Sequence, residues 1–374
     1  MSEPLKKVGV GIIGCGNISE AYLLAAKHFP ILDIRALADL NPAASQARAD
    51  QFGLKSTSVT ELLADPSIEM VVNLTIPAAH VEVGLQAIEA GKHVHSEKPL
   101  GLNLQDAKKL LDAASQRGLR VGSAPDTFLG GAHQTCRKLI DAGALGRVIG
   151  GSAFFMCPGH ERWHPNPAFY YAPGGGPMLD MGPYYITALV NLLGPVARVS
   201  GVSIRARAER TITSQPLYGQ KVPVEVSTHV TGTLEFAQGA VVSVSMSFDV
   251  PKHRHAPIEL YGTEASMMVP DPNRFDGVIE TARPGEDWIS HPIEFGYGDG
   301  NYRILGAVDM AHAIRARRPH RASGAQAAHA MEVMLAFDVS SETGRRVEIT
   351  SRPERPAPLA TELARGYLPG QALV

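Results

Sequence analysis

Three stretches of this sequence carry residue types and spacings suited to chemistry. The first is HSEKPLG, residues 95–101, where a lysine stands between a glutamate and a proline just after what reads as a buried strand. A proline restricts the residue before it to extended backbone, so Lys98 is presented in a fixed direction, and Glu97 adds a carboxylate able to bind a ribose or tune the ammonium. A lysine so held can pass a proton to or from a hydroxyl. A lone EKP is more simply a solvated loop lysine beside a turn. The second stretch is GGGPMLDMGPYYITALVNLLG, residues 174–194. Asp180 and Tyr184 are four apart and share a face if both are helical; the carboxylate can accept hydrogen bonds from a polyol, and the phenol can donate or relay a proton. Pro183 equally suits a first helical turn, which makes Asp180 an N-cap and the tyrosines core.

The third stretch, GCGNIS at 14–19, follows one apolar run and opens a helical one. Gly14 permits a tight turn, and Gly16 lets a pyrophosphate approach the backbone where Asn17 and Ile18 begin a helix with free N–H groups. The third glycine of the usual pattern is replaced by Ser19. Asp39 ends the next strand-like run, about 20 residues on, where a carboxylate holds the adenosine ribose. Leu40 follows it, with no arginine there to neutralise a 2′-phosphate, so the expected cofactor is NAD, not NADP. Thr75, Pro77 and His80 in TIPAAH follow another strand and are expected beside the same ligand, together with Glu97 and Lys98. The aromatic loop HERWHPNPAFYYAP supplies Trp163, His164, Tyr170 and Tyr171, a set able to stack on a sugar ring and hydrogen-bond its rim; core or dimer packing accounts for them equally well. His80 and His320 receive no assigned proton, and the pair His253 and His255, with no carboxylate cluster nearby, reads as a strand end with no metal.

The elements that must position these residues alternate in the first third. Strands at 8–14, 33–39, 68–75, in KHVHS and in LRVGSA are joined by helices, among them PAASQARADQF, AAHVEVGLQAIEAG and LQDAKKLLDAASQRG. Apolar runs joined by single helices indicate a parallel sheet covered on both faces, a doubly wound domain over residues 1–125. Residues 126–374 then form a second domain: a helix near 132–142, strand VIGGSAFFM, an antiparallel hairpin over 224–236 and 241–248, and two closing helices. The later of these starts at SGAQ, a capping-box pattern, and the tail from 351, with Pro353, Pro356, Pro358 and Pro369, is expected to lie extended over the surface.

With 374 residues, 44% hydrophobic and 19% charged, and 35 Lys+Arg against 37 Asp+Glu, the chain has ample core and no basic excess for nucleic acid or anionic lipid. Cys15, Cys136 and Cys157 show no CxxC pattern, and no apolar run approaches the roughly 20 residues of a spanning helix. A cytoplasmic protein with no membrane partner is expected.

Taken together, GIIGCGNIS, Asp39, TIPAAH, HSEKPL, GGGPMLDMG and RPHRASG (318–324) resemble, in order, the motifs of the Gfo/Idh/MocA oxidoreductases. The resemblance implies an N-terminal Rossmann domain, then an α/β domain with a large, mostly antiparallel open sheet whose free face forms a homodimer or homotetramer interface. It implies that Lys98, often followed by a cis proline, is catalytic and that Asp180 binds substrate. Inositol-dehydrogenase-like members carry a histidine at Tyr184 and an aspartate at Thr187, so this chain resembles the tyrosine-containing members. The expected activity is NAD-dependent hydride exchange with a secondary alcohol of a sugar, polyol or related cyclic substrate, with Lys98 moving the proton, Tyr184 assisting and Asp180 orienting the ring. An NAD- and sugar-binding sensor, or an enzyme that recycles tightly held NAD, are the other readings.

Overall fold

In a computed structural model, residues 6–360 are described; Pro369 and the extreme N-terminus lie outside them. The first apolar runs become strands β1 (Val8–Ile13), β2 (Leu32–Ala38), β3 (Lys55–Ser56), β4 (Met70–Asn73), β5 (His93–Ser96) and β6 (Val121–Ser123). They form one six-stranded parallel sheet in the order β3-β2-β1-β4-β5-β6. Helices α1 (Asn17–Ala26), α2 (Pro42–Phe52), α3 (Val59–Ala64), α4 (His80–Glu89) and α5 (Leu104–Gln116) connect them. α3 was not legible as a helix, although Ser58 and Glu61 make a complete capping box at its start. The strand order reverses between β1 and β4, so the loops after these two strands open the crevice where such sheets take ligands.

Beyond β6 come α6 (Gly131–Asp141), β7 (Val148–Met156), α7 (Pro177–Leu193), β8 (Val196–Ile204), β9 (Glu209–Thr211), β10 (Lys221–Pro223), β11 (His229–Phe236), β12 (Val241–Ser247), β13 (Ile258–Gly262), β14 (Ser266–Val269), β15 (Ile279–Ala282), β16 (Ile289–His291), α8 (Leu305–Ala316), α9 (Gly324–Thr343) and β17 (Val347–Glu348). Nine of these strands build a second sheet, β16-β15-β14-β13-β7-β12-β11-β8-β17, antiparallel except where β12 runs parallel to β7. Val242, Val244 and Met246 point to the buried face, as their alternation predicts. The register puts Ser152, Thr233, Ser243, Glu259 and their exposed apolar neighbours Val202, Val241 and Tyr261 on the opposite face.

Four local expectations are corrected. Residues 224–228 do not extend the hairpin: Val224 N–H donates to Ala208 and its side chain packs with Tyr171, Ile212 and Phe248 beside the small β9–β10 ribbon. α8, read as closing the second half, instead buries Leu305, Val308 and Met310 in one cluster with Val8, Val10 and Ile12 of β1. An amphipathic period names an apolar face and not the partner that covers it. The capping box at α9 is half formed. Ser323 Oγ accepts from Gln326 N–H, but Ser323 N–H already donates to Arg321, leaving no donor for the Gln326 side chain to cover. The tail does not merely cross the surface, because Leu359 is buried and its N–H donates to Gln134.

Candidate active site

The glycine loop is shaped by close approach. Gly14 has φ 101°, and a Cβ there would sit 2.5 Å from the Leu74 carbonyl carbon, so only glycine lets β1 and β4 end side by side. A Cβ on Gly16 would meet nothing within 4 Å, and no side chain among the described residues caps the N-terminus of α1, which leaves open space beside the first N–H groups of the helix. Asp39 at the end of β2 is pinned by N–H donors from Cys15 (2.7 Å) and Asn41 (2.8 Å) and retains lone pairs. Leu40 beside it is 95% exposed. Arg48 reaches Gly16 O but is ion-paired with Glu20. This uncapped turn with a carboxylate at its flank fits a dinucleotide.

Ile76 and Pro77 are exposed along the next loop, and Thr75 is half-buried. His80, expected to face the ligand, is fully buried instead. Its Nδ1 lies 2.7 Å from Pro99 O and its Nε2 3.0 Å from Thr75 O, so it ties the loops after β4 and β5 together. Glu97 likewise turns inward. One oxygen accepts from the Tyr22 hydroxyl (2.7 Å) and the other from Lys98 N–H (2.9 Å), which supports tuning of the lysine and not ribose binding.

Lys98, ahead of a cis peptide bond to Pro99, reaches across to α7. Its Nζ donates to Asp180 O at 2.7 Å and to Oδ1 at 3.0 Å and lies 5.1 Å over the Tyr184 ring. Burial works against the ammonium, but Asp180, then Tyr184 and Glu97, outweigh it and hold its pKa above that of an ordinary lysine. Asp180 is not an N-cap: Gly176, at φ 87°, holds that position close against the Ser227 carbonyl with its N–H donating to Tyr170 O, and Asp180 N–H donates to Gly176 O. Burial raises the Asp180 carboxyl, but Lys98 and a hydrogen bond from His160 prevail and lower its pKa to about 2. The pair at four-residue spacing therefore flanks one ammonium, as the helical face requires.

Among the aromatics, Trp163 is 61% exposed, Tyr170 is half-buried with its ring 4.4 Å from His160, and His164 packs between Trp163 and Phe169. Burial, then Asp180, raises the Tyr170 phenol to about 12. Tyr171 does not line the cleft; it is fully buried, with its hydroxyl on Glu161, which also pairs with Arg210 at 2.8 Å.

Sequence reasoning missed His160, whose Nε2 is 3.2 Å from Asp180 Oδ2, and the layer behind the lysine. That layer comprises Tyr22, Arg303, whose guanidinium is influenced by Tyr184 and hydrogen-bonds Asn273 and Asn301, and Asp126. Asp126 is raised to about 6 by burial, although Gly306 and Ile304 N–H groups donate to it. These residues lie in unrelated segments, and no local spacing announces them.

Residues 8–124 match the family model described as "Oxidoreductase family, NAD-binding Rossmann fold", and residues 133–268 match "GFO/IDH/MocA C-terminal domain". Levoglucosan dehydrogenase of Pseudarthrobacter phenanthrenivorans is 26% identical over 291 residues, 71% of this chain and 74% of that one. The dTDP-3,4-didehydro-2,6-dideoxy-alpha-D-glucose 3-reductase of Streptomyces violaceoruber is 30% identical over 237 residues, covering 63% and 68%. A solved levoglucosan dehydrogenase in complex with NADH superposes with a TM-score of 0.81 at 23% identity, covering 92% of this chain and 100% of that chain, a likeness of fold. No helix among the described residues is long and apolar enough to cross a membrane.

Proposed function

The chain belongs to the Gfo/Idh/MocA oxidoreductases, and from that premise we propose that it oxidises or reduces a secondary alcohol or ketone of a sugar, polyol or related cyclic substrate. The observation that carries this reading is the Lys98 ammonium held between Asp180 and the face of Tyr184 at the carboxyl edge of the first sheet. NAD, when bound, supplies the two-electron acceptor for a substrate carbon. Lys98 exchanges the proton of the reacting oxygen, Tyr184 donates to that oxygen, and Asp180 accepts from a neighbouring ring hydroxyl and holds the amine in place. Trp163, Tyr170 and His164 form the wall for the ring. The names of the similar proteins, a levoglucosan dehydrogenase and a dideoxyglucose 3-reductase, support a carbohydrate. Residues 1–125 and 126–374 are taken as the NAD-binding and substrate-binding units, and the sheet face bearing Val202, Val241 and Tyr261 as a homo-oligomer interface.

Absorbance of NADH across a panel of sugars, anhydrosugars and polyols tests the reading; no cofactor reduction or oxidation with any of them sinks it. The raised Lys98 pKa gives the pH dependence its sign. An amine that must lose its proton before accepting one makes alcohol oxidation climb steadily with alkaline pH, while carbonyl reduction, which uses the ammonium, does not climb. Parallel profiles in both directions would count against Lys98. Asp39→Ala should weaken NADH about 10- to 100-fold in a fluorescence titration, the loss of a charge-assisted pair of ribose hydrogen bonds.

A further inference from the structure

His160 has no role in the activity proposed above, yet beside the Lys98–Asp180 pair both its ring nitrogens are hydrogen-bonded. Its backbone N–H donates to the Tyr171 hydroxyl at 3.2 Å, and its carbonyl accepts from the N–H groups of Trp163 and His164. Behind Tyr171 stands the buried Glu161–Arg210 ion pair, so the short turn that carries the imidazole is anchored to the β9–β10 ribbon. The ring packs 4.5 Å from Phe248 and 4.4 Å from Tyr170, and the residue is 9% exposed.

The hydrogen bonds of the ring decide its tautomer. The Trp163 indole N–H, which can only donate, points at His160 Nδ1 from 3.1 Å. Nδ1 must therefore be the acceptor, and the ring proton sits on Nε2, where it is donated to Asp180 Oδ2 at 3.2 Å. Asp180 thus divides its oxygens, Oδ1 to the lysine and Oδ2 to the imidazole. A carboxylate held at one oxygen only can rotate; held at both, it keeps its plane and keeps the ammonium at one spot.

Resting on the dehydrogenase reading, we propose that His160 is a positioning residue for the reaction: it locks the Asp180 carboxylate in the plane that fixes Lys98, and the rim residue Trp163 holds the imidazole in place from its other nitrogen. The indole whose exposed face meets the substrate ring then also governs the geometry of the proton-transfer pair, which links occupancy of the rim to alignment of the amine.

The test separates this role from simple packing. Gln at 160 keeps one acceptor for the indole and one donor for Asp180, whereas Met keeps only bulk. His160→Met should lower kcat about 10- to 100-fold with NADH affinity unchanged, the loss of one charge-assisted hydrogen bond, while His160→Gln should recover most of the rate. The second readout needs no turnover. Long-range nitrogen-15 spectra of the protein should show the His160 proton on Nε2 in wild type, and in Trp163→Phe an Nδ1 resonance moved by the loss of the indole hydrogen bond. Equal losses in Met and Gln, unchanged kcat in Met, or a proton on Nδ1 in wild type would each overturn the proposal. If no sugar is turned over at all, the dehydrogenase reading fails and the tautomer spectra still decide the geometry.

Discussion

Lys98→Met is expected to lower kcat by about 100- to 10 000-fold, the usual contribution of a positioned acid–base group, while NADH affinity stays close to wild type. Methionine matches the stem of lysine in length and bulk, so the packing over Tyr184 survives and only the donor to Asp180 is lost. Asp180 keeps its His160 partner and is not left as an isolated buried charge. The dinucleotide turn at Gly14 and Gly16 lies in a different loop and is not touched. Lys98→Arg refines the result. A guanidinium preserves the positive charge but cannot give up its proton near neutral pH, so it should also be nearly inactive if proton exchange, and not charge alone, is what the amine provides. Rapid-reaction measurement of NADH absorbance, with binding followed separately by fluorescence, distinguishes these cases. A Met variant that turns over at wild-type rate removes Lys98 from the chemistry.

The parts of this site that the sequence made legible are those fixed by local backbone rules. Gly14 and Gly16 announce themselves because a strand-to-helix turn beneath a pyrophosphate tolerates little else, and the four-residue spacing of Asp180 and Tyr184 becomes one face as soon as α7 forms. The parallel sheet could be read from apolar runs with no polar alternation. What could not be read depends on long-range partners. His160 is one histidine among several in an aromatic loop until the fold brings it against Asp180. His80 and Glu97 sit in loops that face the ligand edge, yet each turns its polar atoms inward, because backbone position does not dictate the side-chain direction taken when a better partner lies behind. For α8 the apolar face was visible but its destination, the sheet some 300 residues earlier in the chain, was not.

The motif RPHRASG shows the same limit and carries the second large prediction. Asp309 sits midway along α8, and an aspartate is ordinarily exposed, but this one is fully buried. It accepts from Arg318 at 2.7 Å, from Arg321 at 2.6 Å and from Arg321 N–H at 2.5 Å. Arg321 in turn donates to the carbonyls of Ala357 and Pro358, so one carboxylate ties α8, the turn before α9 and the tail together. Removing one member of such a group strands the others without compensation. Asp309→Ala is accordingly expected to destabilise the protein by about 3–5 kcal/mol, read as a lowered midpoint in urea, whereas Arg318→Ala, whose partner is retained by Arg321, should cost less. The pH dependence has a definite sign. Burial raises the Asp309 carboxyl, but Arg321 and Arg318 outweigh it and leave it below an ordinary aspartate. Its contribution is therefore present above the unfolded-state value near 3.9 and is lost as pH falls through the lower folded value. The gap between wild type and Asp309→Ala should then be full at neutral pH and narrow only in strong acid. A variant within about 0.5 kcal/mol of wild type at neutral pH, the range of ordinary surface substitutions, would show that the two guanidiniums find other partners and that the motif does not fasten these segments.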